Sequence, residues 1–157
     1  MFDIFLIILN LALAGLAGYN VFWQSQIQLR ASYSYGQVLI GVGLAVWITT
    51  AGLTSWMYVI FVALFVLLYI MSGVTGLGSK RLVSQGWFSR ALKYTNVAEV
   101  ALTPINAPGG KNIVVAVFTF KPRRRVQLMF RQPLEVVLGA LKRVVPDNTP
   151  LTIQKIN

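Results

Sequence analysis

The chain has no cysteine and no histidine, and only four acidic residues among 157. The first two absences exclude a disulfide framework, a cysteine nucleophile, a Ser-His-Asp triad, a Cys/His zinc site and haem ligation by either residue. With so few acids, paired-carboxylate catalysis has almost nothing to work with. Charge of either sign is scarce, at 11% of residues, against roughly 25% in an ordinary soluble domain. Hydrophobic residues make up 56% and the mean hydropathy is +0.67. This balance suits a membrane protein better than a globular one, and the length excludes a large enzyme or a long transporter.

The few charges are segregated. Up to Ser79 the only ones are Asp3 and Arg30, which cancel. From Lys80 onward there are thirteen bases and three acids (Glu99, Glu135 and Asp147), so this part carries the whole net charge of +10. An apolar neutral half followed by a basic half predicts two parts: a transmembrane region over 1–74 and a basic α+β domain over 80–157, joined by a glycine-rich linker at 75–79.

The apolar half predicts three transmembrane helices, at about 4–23, 37–53 and 55–74. The first run has no charge over about 20 residues, enough for a hydrocarbon core of roughly 30 Å. It lacks the basic start of a signal peptide, so a retained span is expected. The second uncharged run, Gln37–Met71, is too long for one span. Small polar residues from Thr49 to Ser55 mark the break in it. Arg30, Lys80 and Arg81 then fall on one side. The positive-inside rule makes that side cytoplasmic, giving a multi-pass protein of the cell membrane with its N-terminus outside.

Small residues recur every four positions in the first two spans, at Asn10, Ala14 and Gly18 and at Gly41 and Ala45. Each set shares a helix face, and small residues let backbones approach in lipid. These faces are expected to pack the first two spans together or to dock a second membrane protein or copy. The bulkier third span suits lipid contact.

In the basic half the apolar period shortens. Arg81–Gln85, Trp87–Tyr94 and Asn96–Leu102 read as strands, and Pro104–Lys111 as a loop. Ile113–Phe120 is the strongest strand. Arg125–Arg131 alternates with Val126, Leu128 and Phe130 inward. Pro133 opens an amphipathic helix through Leu134, Val137, Leu138, Leu141 and Val144, which Pro146 ends. The expected fold is an antiparallel sheet of four or five strands with one C-terminal packing helix.

Gly86, Trp87-Phe88 and the strand Val97-Ala98-Glu99-Val100 carry a resemblance. So do the later Arg-Val-Gln-Leu-Met-Phe strand and the terminal helix. Together, residues 80–146 resemble the bacterial pleckstrin-homology-like domains of small membrane proteins. A complete fold of that kind has seven strands before its helix. The resemblance implies a non-catalytic cytoplasmic interaction domain and transfers no ligand residues.

The densest charge feature is Lys121, Arg123, Arg124 and Arg125, with Arg131 at the far end of the next strand. Its plain role is a solvated turn kept inside by its charge. Its functional roles are contact with anionic lipid headgroups, an acidic protein partner or nucleic acid. No helix-turn-helix or RNA-binding aromatic motif favours nucleic acid. Trp87 and Phe88 suit either core packing or a membrane edge. Pro108-Gly109-Gly110-Lys111 lacks phosphate-loop spacing and reads as a turn. No cofactor and no metal are expected. The function expected is that of a non-catalytic accessory or scaffold subunit of a membrane complex. The alternative is a tether to anionic lipid or nucleic acid.

Overall fold

Length and polarity separate the helices of the protein into two kinds. In a computed structural model, which describes residues 2–50, 52, 55–86, 91–107 and 111–154, there are four α-helices and two four-stranded sheets. Three helices are uncharged beyond Asp3: α1 (Phe2–Ser25), α2 (Tyr35–Thr50) and α3 (Trp56–Ser72). The fourth, α4 (Leu134–Val144), is amphipathic, with Glu135 in its first turn and Lys142 and Arg143 in its last, as the helix dipole favours. The strands are β1 (Ile27–Arg30), β2 (Gly76–Gly78), β3 (Arg81–Val83), β4 (Ala91–Lys93), β5 (Val97–Ala107), β6 (Lys111–Phe120), β7 (Arg124–Phe130) and β8 (Leu151–Ile153). The chain divides into a helical unit, 1–25 with 33–74 and 85–88, and a β unit, 26–32 with 75–84 and 89–157.

One helix, over Asp3–Ser25, is long and apolar enough to cross a membrane, while α2 and α3 are apolar but shorter. The expected three full-length spans are therefore corrected to one helix of spanning length and two shorter apolar ones. In the helical unit α3 is the shared partner, packed by α1 and by α2. Leu68 of α3 is fully buried and meets Leu13 and Ala17 of α1. The bulky third helix is thus the centre of the unit rather than its lipid-facing wall.

The face that α1 buries also differs from expectation. Leu6, Asn10, Leu13, Ala17 and Asn20 are buried, a spacing of four and three in alternation. This is the seam of a helix pair in coiled-coil-like contact. Ala14 and Gly18 are exposed, and a side chain at Gly18 would meet nothing within 4 Å. Asn10 Nδ2 donates to the Met57 carbonyl at 2.9 Å, and Gln24 Nε2 donates to the Met71 carbonyl at 2.8 Å. Both bonds join residues 47 apart, so α1 and α3 run parallel and in step. On α2, Gly41 is buried against Tyr69 and Ala45 is half-buried.

In the β unit, one sheet has the order β1-β2-β3-β4 and the other β7-β6-β5-β8. All neighbours are antiparallel except β8, which runs parallel to β5. The segment 76–78, expected as a linker, is strand β2 and is buried. Its glycines answer to crowding: a side chain at Gly76 would collide with the Leu29 carbonyl and the Ile27 side chain of β1. Beyond β1, the Ser32 amide donates to the Met129 carbonyl of β7, which joins the edges of the two sheets. A 3-10 turn at Tyr94–Asn96 links β4 to β5 at the other side.

Within 80–146 five strands (β3 to β7) precede α4, in line with the four or five expected there, and β1 and β2 from outside that segment bring the total to seven. Strand β5 runs through Pro104 instead of ending there. Val100 donates to Pro150 and Leu102 accepts from Gln154, so even-numbered residues of β5 bond toward β8. Pro104 lies on that side but beyond β8, where a missing N–H costs no bond. α4 touches β2 of one sheet and β6 of the other. It buries Val137, Leu141 and Val145 with Phe118, Phe130, Leu77 and Leu82 in one core. The readings placed on Trp87 and Phe88 lie outside the described residues.

Candidate functional site

β6 and β7 are fixed by the core on both sides of their connection. Phe120 ends β6 buried, and Val126 is the first buried residue of β7. Their register sets Arg124 opposite Phe120 and Arg125 opposite Thr119. The three residues between the strands form the turn, closed by the Arg123 amide donating to the Phe120 carbonyl at 2.9 Å. The Lys121 amide donates to the Asn96 carbonyl at 3.0 Å, tying the turn to the 3-10 segment. Lys121, Arg123, Arg124 and Arg125 are all exposed. Alternation sends Arg125 to the outer face of the sheet and Arg124 to the opposite side.

Arg123 has φ +100°, in the left-handed region. A non-glycine residue there is strained by about 1–3 kcal/mol. A glycine would relieve that strain, yet the position carries a cation. Arg131 does not join the turn. It follows β7 six residues after Arg125, about 20 Å along the strand. There it lines a hollow of about 390 Å³ with Asn112, Ile113, Gln132 and Pro133. The sequence cluster thus resolves into a four-cation turn and one separate arginine. Within the hollow's wall Gln132 Oε1 is buried and has no donor among the described residues.

The turn offers concentrated positive charge on an ordered support. Among the described residues no group of three or more His, Cys, Asp or Glu gathers anywhere. Among the described residues outside the helices, Tyr94 is the one strongly perturbed ionisable group. Burial drives its phenol above the ordinary tyrosine range, and its hydroxyl donates to the Gly78 carbonyl at 2.9 Å. Its role is structural, linking the 3-10 turn to β2.

Of the helix residues singled out by sequence, the structure brings Asn10 and Gly41 into close contacts and leaves Ala14 and Gly18 open. Sequence reasoning missed Gln24 and Leu13 as contacts of α3, and Tyr69 as the contact of Gly41. The alternating four-and-three spacing from Leu6 to Gln24 was the available signal. Comparison with known proteins gave no matching family model, no matching curated protein and no matching solved structure.

Proposed function

We propose that the protein is a multi-pass membrane protein of the cell membrane, N-terminus outside. Its β unit acts in the cytoplasm as a non-catalytic interaction domain, making the chain an accessory or scaffold subunit of a membrane complex. The observation that carries the membrane part is exposure: Leu39 is 75%, Trp47 72% and Trp56 81% accessible on helices without a charged residue. Large apolar side chains exposed on uncharged helices are stable in lipid or against another membrane protein. By length α2 and α3, with 16 and 17 residues, span about 24 and 26 Å. A short hydrophobic helix is accommodated by local thinning of the bilayer and by interfacial flanking residues, and Tyr35, Trp47 and Trp56 suit that interface.

The reading of the β unit rests on its seven strands followed by one packing helix. Five of these strands and the helix lie within residues 80–146, the segment of the pleckstrin-homology-like resemblance, and β1 and β2 come from outside it. The basic turn supports a second reading, a tether to anionic lipid or nucleic acid. Near an anionic leaflet each Lys or Arg contributes about 1 kcal/mol. Purification of the full chain from its native membrane in mild detergent separates the two. A second polypeptide in fixed stoichiometry supports the accessory role. Co-purifying anionic lipid or nucleic acid without a polypeptide, lost when Arg123, Arg124 and Arg125 become Gln, supports the tether.

A further inference from the structure

An antiparallel sheet with one face on a core ordinarily turns a polar face to water. The sheet β7-β6-β5 does so only toward one end, where Glu99, Thr119 and Arg125 share a row, and toward the other end it is largely apolar. Its even-numbered residues Val114, Ala116, Phe118, Leu128 and Phe130 fill the core. Its odd-numbered residues form the outer face, and there the register aligns Ile105 with Ile113, and Val115 with Met129. Val117 extends the row beside Gln127. Ile105 is 37% and Met129 40% exposed, while Val115, in the row of Met129, is only 8% exposed. The result is a flat apolar centre with an arginine near each end, Arg125 and Arg131. Glu99 is the one acid on the face among the described residues. It sits on β5 in the row of Arg125 and lies 3.5 Å from the Thr152 hydroxyl that donates to it.

We propose that this outer face is a docking surface for an acidic, apolar-faced segment of a partner protein. The proposal rests on the reading of the β unit as an interaction domain and names the surface and the partner's chemistry. An apolar centre inside a polar rim is the anatomy of protein–protein interfaces, and methionine and arginine are enriched there while lysine is depleted. Here Arg125 and Arg131 stand at the two ends of the apolar centre. Charge complementarity sets the sign of the partner: the chain carries fourteen bases against four acids. A segment with carboxylates spaced to meet Arg125 and Arg131, and apolar side chains between them, satisfies both features. The occupant is a protein rather than the bilayer, because short Ile, Val and Met side chains flush with a sheet give little to insert. Membrane-anchoring faces depend on Trp, Phe or Leu.

The test uses the full chain in its native membrane, with a photo-crosslinking residue placed one at a time at Ile105, Gln127, Met129 or, as a control, Val136. Val136 is exposed on α4, away from this face. The expected result is one discrete protein adduct from Ile105, Gln127 and Met129 whose crosslinked peptide carries net negative charge. Changing Arg125 and Arg131 to Glu together should cut its yield about tenfold, since like-charge contacts across an interface are strongly unfavourable. Unchanged thermal unfolding of that double variant shows that the loss is not one of folding. Adducts from Val136 alone overturn this face and leave the interaction-domain reading standing. Phospholipid adducts from Met129 without protein overturn the protein partner in favour of a membrane contact. No protein adduct from any position overturns both readings.

Discussion

Replacing Gly41 by alanine probes the helical unit where two helices come closest. A Cβ built on Gly41 lies 2.6 Å from Tyr69 Cβ and 3.0 Å from Tyr69 Cγ. Neither atom is the free end of a side chain, so α2 and α3 must separate to make room. Overpacking of this kind costs about 1–3 kcal/mol. Helix propensity works the other way, since Gly→Ala in a helix interior gains about 1 kcal/mol. The sum at Gly41 is a net loss of about 0–2 kcal/mol. Gly43 is two residues further along the same helix, with nothing within 4 Å of an added Cβ. Gly43→Ala keeps the propensity gain and pays no steric cost, so the two substitutions should move stability in opposite directions.

Thermal unfolding of the full-length protein in mild detergent reads the difference. At about 2–4 °C per kcal/mol for a chain of this size, the two variants should differ by several degrees. A double-mutant cycle with Tyr69 localises the effect. Tyr69→Ala leaves the nearest clashing atom in place and should not rescue Gly41→Ala. Tyr69→Gly removes it and should. Equal shifts of the same sign from Gly41→Ala and Gly43→Ala would refute the close approach of α2 to α3.

Cysteines at Ser55 and Lys93 report topology, because the chain has none of its own: an impermeant thiol reagent on intact cells should label Ser55→Cys and spare Lys93→Cys. Tyr94→Phe should cost about 1–3 kcal/mol by leaving the buried Gly78 carbonyl without its donor. Because burial raises the folded phenol's pKa, the stability tied to its neutral form is fully present below about pH 10 and is lost as pH climbs further; equilibrium unfolding of Tyr94→Phe should show less of that alkaline loss. Arg123→Gly should raise stability by about 0.5–1 kcal/mol in denaturant melts by removing a side chain from φ +100°. A fragment of residues 80–157, which lacks β1 and β2, should give no cooperative unfolding transition, whereas the full chain should.

Much of the β unit could be read from alternation. Val126, Leu128 and Phe130 fall inside as their spacing requires, and α4 buries the stripe Val137 and Leu141 that its period marks out. These elements each declare a face in their own residues. The features that escaped depend on a neighbour distant in sequence. β2 is Gly-Leu-Gly, which reads as a joint until β1 is laid against it and the missing side chains become a necessity. β1 is four residues between two apolar helices, too short to show a period. Pro104 signals a loop unless β8 is known to stop short of it. In the helices, small residues at four-residue spacing suggested a contact face. The seam instead follows larger residues at alternating four and three, with Asn10 and Gln24 bonded to backbone carbonyls. The basic turn was legible as charge, but its separation from Arg131 required the strand between them.

β1 also bears on topology in a way charge alone does not. α1 and α3 run parallel, as the bonds from Asn10 and Gln24 require, so their C-terminal ends lie at the same end of the helical unit. The chain leaving α1 enters β1, and the chain leaving α3 enters β2, within a few residues in each case. β1 and β2 are hydrogen-bonded partners, with Arg30 opposite Gly76. If α1 crosses the bilayer, the segment holding Arg30 and the segment leading to Lys80 and Arg81 must then share one side of it. The charge rule reaches the same conclusion from the positions of those three bases. The backbone pairing bears on whether these segments lie together, and the charge rule on which side they would occupy, so the two arguments are independent of each other. The same pairing means that the loop between α1 and α2 cannot be lengthened, shortened or cut without disturbing the sheet that β1 begins.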